Sequence, residues 1–444
     1  MNAVVFIWVL FIPNIFAFNN LFAKTHTRIA RRRRARTPMY SSRTSNSRRS
    51  NNAETQNESN FSSLLTLPQY LQQQNVNDEL SIIISQAASA CIQISRELAR
   101  LPITSHTTIR TTNTHTSAST ITKEDVDANT NAIIGGMINV QGEEQKPMDV
   151  LANDIFIHAL QEHVAAMASE EEEDAILGHA GLTGTNRKQY EIAFDPLDGS
   201  SNLDVSVPTG TIFAIAPFTP EKPFSSSGRK IVAAGYTVYS SSVELVISLS
   251  FAGAVSNGAG GDGGDGSSGS SHAVAAGFTL DPTRMSSNGS SPTNNGADCF
   301  ILSRPSMNCP KQGSYYSLND AREPDWPQGL QKWIHDAKRG QTPSGVVYSS
   351  RYICSLCADV HRTLIKGGWA GNPRPHLRLL YEAAPLAHIA EACGGRGSDG
   401  VMNLLDIEPQ GLHDRTSVFI GSVNDVIELE RYGDVQQSAH TYKC

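Results

Sequence analysis

The stretch Gln189–Ile215 reads QYEIAFDPLDGSSNLDVSVPTGTIFAI and sets Asp195, Asp198 and Asp204 around the turn Gly199-Ser200-Ser201. A glycine lets the backbone approach a ligand closely. The N–H and hydroxyl groups of such a turn make a cradle for an anion. Three carboxylates beside that cradle would repel the same anion, and this conflict is the chemical question the stretch poses. A second acidic run, SEEEED at 169–174, precedes it. Alone, that run reads as a solvated turn. Asn202 and Asp204 equally suit the stabilisation of a turn.

The elements that position these residues follow from periodicity. Tyr190, Ile192 and Phe194 alternate, which predicts a half-buried strand running into Asp195. TGTIFAIAPF and KIVAAGYTVYSSSVELVISLSFAGAV read as further strands. Upstream, DELSIIISQAASACIQISRELARL from Asp78 is an amphipathic helix, followed by a polar Thr/Ser loop from Thr104. MDVLANDIFIHALQEHVAAM carries Met148, Leu151, Ile155 and Ala159 at helical spacing. SNGAGGDGGDGSSGSSH (256–272) is a glycine/serine insertion, and RMSSNGSSPTNNGAD is a second polar loop. Neither packs, because glycine and short polar side chains bury too little to offset backbone entropy. Both lie between strand-like segments and read as hairpin extensions. The last third alternates: CFILSR strand, WPQGLQKWIHDAKR helix, CADVHRTLIKGG helix, HLRLLYE strand, AAPLAHIAEACGG helix, TSVFIGS strand. The mixture gives an α/β or α+β fold class.

Composition narrows the partners. The chain has 444 residues and a formal net charge of -7. Residues 1–53 hold ten Lys and Arg and no acid, which leaves a net of -17 on the remainder. An acidic body repels phosphate backbones, so nucleic acid is not an expected partner, although RRRRAR alone would bind RNA. The apolar run Ala3–Phe18 is short for a bilayer span and suits a signal peptide over 1–17, with an uncleaved anchor as the alternative. The acid-free Arg/Ser stretch over 18–60 has transit-peptide composition. FAFNN resembles the cleavage junction of plastid proteins in algae with complex plastids, so a plastid (stromal) location is expected, with no membrane attachment of the mature form; a cytoplasmic location is the alternative. Seven scattered cysteines make no disulfide framework. Only Cys354 and Cys357 have redox or metal spacing, and both are expected as small residues at a buried helix start.

The long run FDPLDGSSNLD resembles the signature of the fructose-1,6-bisphosphatases, within the lithium-sensitive, magnesium-dependent phosphatases. GEEQKPMDVLANDIF, ASEEEED, AAGYTVYSSSVEL, SLND, RYICSLCADVHRTLIKGG, LRLLYEAAPLAHIAEACGG and DRTSVFIGS accompany it in the family's order. The resemblance spans roughly Leu67 to Tyr432. It implies a layered αβαβα sandwich, a homotetramer, a sugar bisphosphate substrate, and two to three Mg2+ per subunit, with Mn2+ as a substitute. It resolves the opening conflict. A phosphate monoester is dianionic; magnesium neutralises it, lowers the pKa of a bound water and stabilises the leaving alkoxide. Magnesium takes hard oxygen ligands, so carboxylates must converge with the ions between them and the phosphate.

By resemblance, Glu170, Glu171, Asp195, Asp198, Glu382 and the carbonyl of Leu197 are metal ligands. Glu143 and Asp149 belong to a mobile loop that helps activate water, with Glu143 where many members have Asp. Arg378 faces the reactive phosphate, and Asp198, Gly199, Ser200 and Ser201 hold it. Asn319, Arg351 and Tyr352 match residues for the far, 6-position phosphate, Arg351 reaching from a neighbouring subunit. His376 stands where the family has Lys, Asn372 and Arg322 where it has Tyr. The expected domains are an N-terminal phosphatase subdomain (61–255), the insertion (256–272), a C-terminal sugar-phosphate subdomain (273–435) and a tail (436–444). The expected reaction is hydrolysis of fructose 1,6-bisphosphate; sedoheptulose 1,7-bisphosphate, another phosphate ester, or a silent sugar-phosphate sensor are the alternatives. NDELS and Gln189–Tyr190 replace most of the family's nucleotide-site residues, and APFTPEKPFSSSGRK lacks the cysteines of plant plastid members, so neither control is expected.

Overall fold

Thr66 and Gln69 form a capping box that starts α1 (Leu67–Gln73), with Thr66 N–H donating to Gln69 Oε1 at 2.9 Å. The structure is a computed structural model and describes residues 64–112, 137–138, 144–178, 189–251, 272–285 and 296–437. The expected targeting segments, Glu143, most of the glycine/serine insertion, the second polar loop up to 295 and residues 438–444 lie outside these. α2 (Asp78–Thr112) buries Ile83, Ile84, Ala87, Cys91 and Ile94, the stripe its sequence showed. It runs past Thr104, where a loop was expected. Extending a formed helix adds one hydrogen bond per residue fixed, except at Pro102, which has no N–H to donate.

The short strands β1 (Met137–Ile138) and β2 (Glu144–Gln145) pair antiparallel. α3 (Pro147–Leu160) buries Met148, Asp149, Ala152, Asn153, Phe156 and Leu160. Leu151, expected on the inward face, is exposed. The helix is apolar nearly all round, and its largest ring decides the rotation: Phe156 stacks on Phe194 at 4.9 Å. The helix also stops earlier than its apolar pattern, because Ala166–Ser169 form β3, buried along its whole length.

β4 (Ile176–Leu177), β5 (Tyr190–Asp198), β6 (Thr209–Pro217), β7 (Ala233–Tyr239), β8 (Val243–Phe251), β9 (His272–Leu280) and β10 (Phe300–Arg304) complete an eight-stranded sheet ordered β10-β9-β8-β7-β6-β5-β3-β4. Only β3 and β5 pair parallel. β5 was expected to be half-buried; all nine of its residues are buried, because helices cover both sheet faces. β8 and β9 pair directly, Phe251 opposite His272, so the glycine/serine insertion joins a hairpin. β9 and β10 carry this sheet to Arg304, so a division at 273 falls inside it.

The second sheet starts at β11 (Tyr315–Ser317). With β12 (Ser349–Ser350), β13 (Trp369–Arg378), β14 (Arg396–Ser398) and β15 (Arg415–Gly421), it has the order β12-β11-β13-β15-β14. α5 (Leu356–Lys366) and α6 (Ala384–Ala392) lie between the two sheets; α4 (Gln328–Ala337) and α7 (Val423–Tyr432) cover the outer face of the second. α1 to α3 cover the outer face of the first, which gives the αβαβα layers. Among the described residues, the three larger of four core clusters follow the layers. The first is centred on Phe156, Phe194 and Phe213. The second, between the sheets, contains Tyr236, Cys357 and Leu386. The third is a nest of Trp333, Trp369, Tyr316 and Phe419. No helix of the described residues is long and apolar enough to cross a membrane.

Candidate active site

A regular strand puts residues three apart on opposite faces. Asp195 and Asp198 escape this because β5 bulges between them: Asp195 pairs with Ile212 but Asp198 with Gly210, so three steps on β5 match two on β6. Pro196, which cannot donate to a ladder, occupies the bulge. Its carbonyl accepts Thr211 Oγ1–H at 2.8 Å, and Leu197 N–H donates to Asp195 Oδ1 at 3.0 Å. Gly199 follows at φ 76, a left-handed conformation that favours glycine. It opens the 3-10 turn Ser200–Val205 rather than a full helix.

The third carboxylate comes from the other sheet. HLRLLYE was expected to be strand throughout; β13 ends at Arg378, and Leu379–Ala383 form one π-helical turn. Such turns occur at functional sites, where they re-aim a side chain. Here Glu382 turns back so that Arg378 N–H donates to Glu382 Oε2 at 2.6 Å. Carboxylate oxygens of Asp195, Asp198 and Glu382 lie within 4.8 Å of one another. The three residues are 2 %, 7 % and 3 % exposed. Glu170 joins them through Arg378, whose Nη1 lies 2.9 Å from Glu170 Oε1 and 3.9 Å from Glu382 Oε2.

Burial pushes Asp195 and Glu382 well up from the ordinary carboxylate range, and repulsion from Glu170 adds to both. Burial also raises Asp198, against the pull of the Cys357 N–H, which donates to Asp198 Oδ2 at 3.0 Å. Four acids share one guanidinium among the described residues, so the buried cluster calls for more positive charge than these supply. The donors are hard oxygens. A divalent cation of the magnesium type fits this set.

The surrounding elements hold the acids in place. Asn153 of α3 accepts Ser169 Oγ–H at 2.7 Å and donates to Glu172 Oε1 at 2.7 Å, and Glu171 N–H reaches Ser169 Oγ at 3.2 Å. Glu171, next in sequence to Glu170, is half-buried and is not a member of the three-carboxylate group. Asp149 caps α3: its Oδ2 accepts Lys146 N–H at 2.8 Å, while Oδ1 is buried with no hydrogen-bond partner. Burial raises Asp149 to about 6, eased by the Lys146 N–H and a bond to Ser200 and raised further by Glu170. Asp149 therefore borders both the acids and the Gly-Ser-Ser turn. Lys146 Nζ pairs with Asp204 at 2.6 Å, which gives Asp204 a structural role.

The remaining expected residues gather at one end of the second sheet. β11, β12 and β13 run parallel, Tyr316 opposite both Ser350 and Trp369. Asn319 after β11, Arg351 and Tyr352 after β12, and the end of β13 with His376 and Arg378 thus emerge together. β13 is irregular between Asn372 and Leu377, so half-buried His376 sits on a bulge. Asn319, Arg322, Arg351 and Tyr352 are exposed. Arg351 lies 5.3 Å from the centre of the Tyr315 ring. Cys354 is also exposed, at φ 66 ahead of α5, and only Cys357 is buried within the helix, so the pair does not share a buried helix start. Sequence reading missed the Cys357 N–H, and it gave Asn202 only a turn-stabilising role; Asn202 Nδ2 also donates to the Cys354 carbonyl at 2.7 Å and ties the two groups together.

The N-terminal domain description of fructose-1-6-bisphosphatase matches residues 111–257, and its C-terminal domain description matches 309–434. The chain belongs to the fructose-1,6-bisphosphatase family. The C-terminal match starts after β10, in step with the sheet boundary. The chain is 33% identical over 416 residues to the chloroplastic fructose-1,6-bisphosphatase of Pisum sativum, covering 86% of each. It is 39% identical over 332 residues to the class 1 fructose-1,6-bisphosphatase of Chlorobium phaeobacteroides (strain BS1), covering 71% of this chain and 88% of that one. The holo form of Leishmania major fructose-1,6-bisphosphatase superposes with a TM-score of 0.63 at 28% identity, over 84% of this chain and 99% of that one. A phosphatase of this family is an enzyme.

Proposed function

We propose that the chain hydrolyses fructose 1,6-bisphosphate to fructose 6-phosphate and orthophosphate in a magnesium-dependent reaction. The observation that carries this is the convergence of Asp195, Asp198 and Glu382, from two sheets, beside the Gly199-Ser200-Ser201 turn. Glu170, Glu171, Asp195, Asp198, Glu382 and the Leu197 carbonyl would hold two to three magnesium ions. When bound, these supply charge neutralisation and acidify water. The chain's own residues do the rest. The amides and hydroxyls of Gly199, Ser200 and Ser201 hold the 1-phosphate, and Arg378 faces it. Asp149, poised near 6 with one oxygen uncommitted, takes the proton of the attacking water. Glu143 assists from the adjoining segment.

Asn319, Arg351, Tyr352 and His376 bind the 6-phosphate in this reading, with Arg351 serving a neighbouring subunit of a homotetramer. His376 replaces a permanent Lys charge with an imidazole, a side chain that is charged only when protonated. The grip on the far phosphate is therefore weaker, and the Michaelis constant climbs with pH. The acid-free N-terminal stretch and the chloroplastic relative in Pisum sativum support delivery to a plastid. The chain lacking residues 1–60, assayed with magnesium on fructose 1,6-bisphosphate, sedoheptulose 1,7-bisphosphate and simple phosphate esters, tests the assignment. Fructose 1,6-bisphosphate should show the highest kcat/KM; a clear preference for another ester would reassign the substrate, and no turnover at all would favour a sensor.

A further inference from the structure

Asp359 belongs to none of the groups above. It lies in the first turn of α5 and is buried. Its Oδ1 accepts the hydroxyl of Ser317, and both of its oxygens accept the N–H of Ile353 at 3.2 Å. Ser317 ends β11, two residues before Asn319, and Ile353 directly follows Arg351 and Tyr352. The helix that carries Asp359 also carries the Cys357 N–H that meets Asp198. One carboxylate thus joins the end of β11, the loop after β12 and the helix that faces the acid cluster. Arg362, 3.5 Å from Oδ1, partly offsets its charge. Tyr352 is 47 % exposed, so packing does little to place it, whereas the backbone after it is pinned.

We propose that Asp359 is a positioning residue for the far phosphate: it sets Tyr352 and Asn319 at a fixed distance from the carboxylate cluster, steadies the backbone that presents Arg351 to the neighbouring subunit, and so selects a substrate with two phosphates. The inference rests on the bisphosphatase reading. A buried carboxylate that accepts two donors leaves both unsatisfied when removed, and the loop then relaxes. The reacting phosphate is held elsewhere, so the loss falls on recognition of the second phosphate.

The test compares fructose 1,6-bisphosphate with p-nitrophenyl phosphate, which has no second phosphate, and follows hydrogen exchange of the 351–357 amides. Asp359→Ala should raise KM for fructose 1,6-bisphosphate by about tenfold, the cost of one to two charged hydrogen bonds. The kcat on either substrate should stay within about twofold, since those donors do not touch the reacting phosphate. Asp359→Asn keeps an acceptor for Ile353 N–H and should recover most of the affinity. Ser317→Ala removes one link and should raise KM by about threefold. The 351–353 amides should exchange faster in each variant, most in Asp359→Ala, while the Cys357 amide that holds Asp198 keeps its protection. Equal losses on both substrates, or an unchanged KM, would overturn the inference. If Asp359→Ala does not fold, Asp359→Asn and Ser317→Ala decide it by the same split. If the wild-type chain fails on fructose 1,6-bisphosphate but hydrolyses p-nitrophenyl phosphate, the bisphosphatase reading falls by itself, and unaltered exchange at 351–353 in the variants would separately overturn the anchor.

Discussion

Glu191 should make the protein lose stability as pH rises through neutrality. It sits on β5, 2 % exposed, with both oxygens accepting the Phe224 N–H at 3.1 Å. It borders a cavity of about 30 Å³ with Ala193, Phe224, Ile231 and Leu379, and no other titratable side chain lines it. Burial raises its carboxyl from 4.5 to about 7, against the pull of the Phe224 and Thr219 N–H groups. A carboxyl whose folded value is raised contributes stability that is complete below the unfolded value and is lost as pH rises through the folded one. The shift corresponds to about 3 kcal/mol, lost mostly between pH 4.5 and 7. Glu191→Gln keeps the acceptor and removes the proton. Urea unfolding of both proteins from pH 4.5 to 8 isolates the group, because every other titration is shared. The stability of Glu191→Gln relative to wild type should rise by about 3 kcal/mol across this range. Curves that run parallel would refute the reasoning, since Glu191 would then bind its proton equally well in the folded and unfolded chains.

His388 should behave with the opposite slope. It bridges Ser248 and Ser250 in the middle layer, and burial lowers it to about 4, with Arg229 adding to the shift. Its contribution is present above pH 6.5 and lost as pH falls toward 4, so the stability advantage of wild type over His388→Asn should shrink over that window in the same urea assay. Cys354→Gly relieves a left-handed residue in an exposed loop and should raise the unfolding free energy from urea titration by up to about 1 kcal/mol, less whatever the glycine adds to unfolded-state entropy. Asp195→Asn removes one of the mutually repelling buried acids, so the metal-free protein should melt higher than wild type while the thermal shift given by magnesium disappears; a retained magnesium shift in the melting curve would contradict the ligand role.

The site was largely legible because its parts are short-range. Asp195, Asp198 and the glycine turn occupy consecutive positions, and local sequence fixes the bulge, with Pro196 as its marker. What was hidden depends on contacts between distant segments. Leu379–Glu382 looks like strand because Leu-Leu-Tyr suits one, yet the fold needs Glu382 to turn back toward β5, and the π turn supplies that. The rotation of α3 was misread for a similar reason: Leu151 and Phe156 are both apolar, and only the presence of Phe194 opposite decides between them. Asp359 and the Cys357 amide lie within RYICSLCADVHRTLIKGG, yet the segment does not reveal their roles, since an acid near a helix start commonly serves as a cap. Fully buried β5 was read as half-buried because its exposed-looking Glu191 has a backbone N–H partner that the sequence does not announce.

Magnesium-dependent turnover in wild type and Asp198→Asn tests the central claim most directly. Asp198 is held by the Cys357 N–H within the three-carboxylate group, so its replacement should leave the fold and circular dichroism unchanged. Hydrolysis of fructose 1,6-bisphosphate should fall by several orders of magnitude, because metal-based charge neutralisation contributes several kcal/mol to the barrier. Chelator should abolish wild-type activity, and added magnesium should restore it. Wild-type-like turnover in Asp198→Asn, or full activity in chelator, would contradict the account.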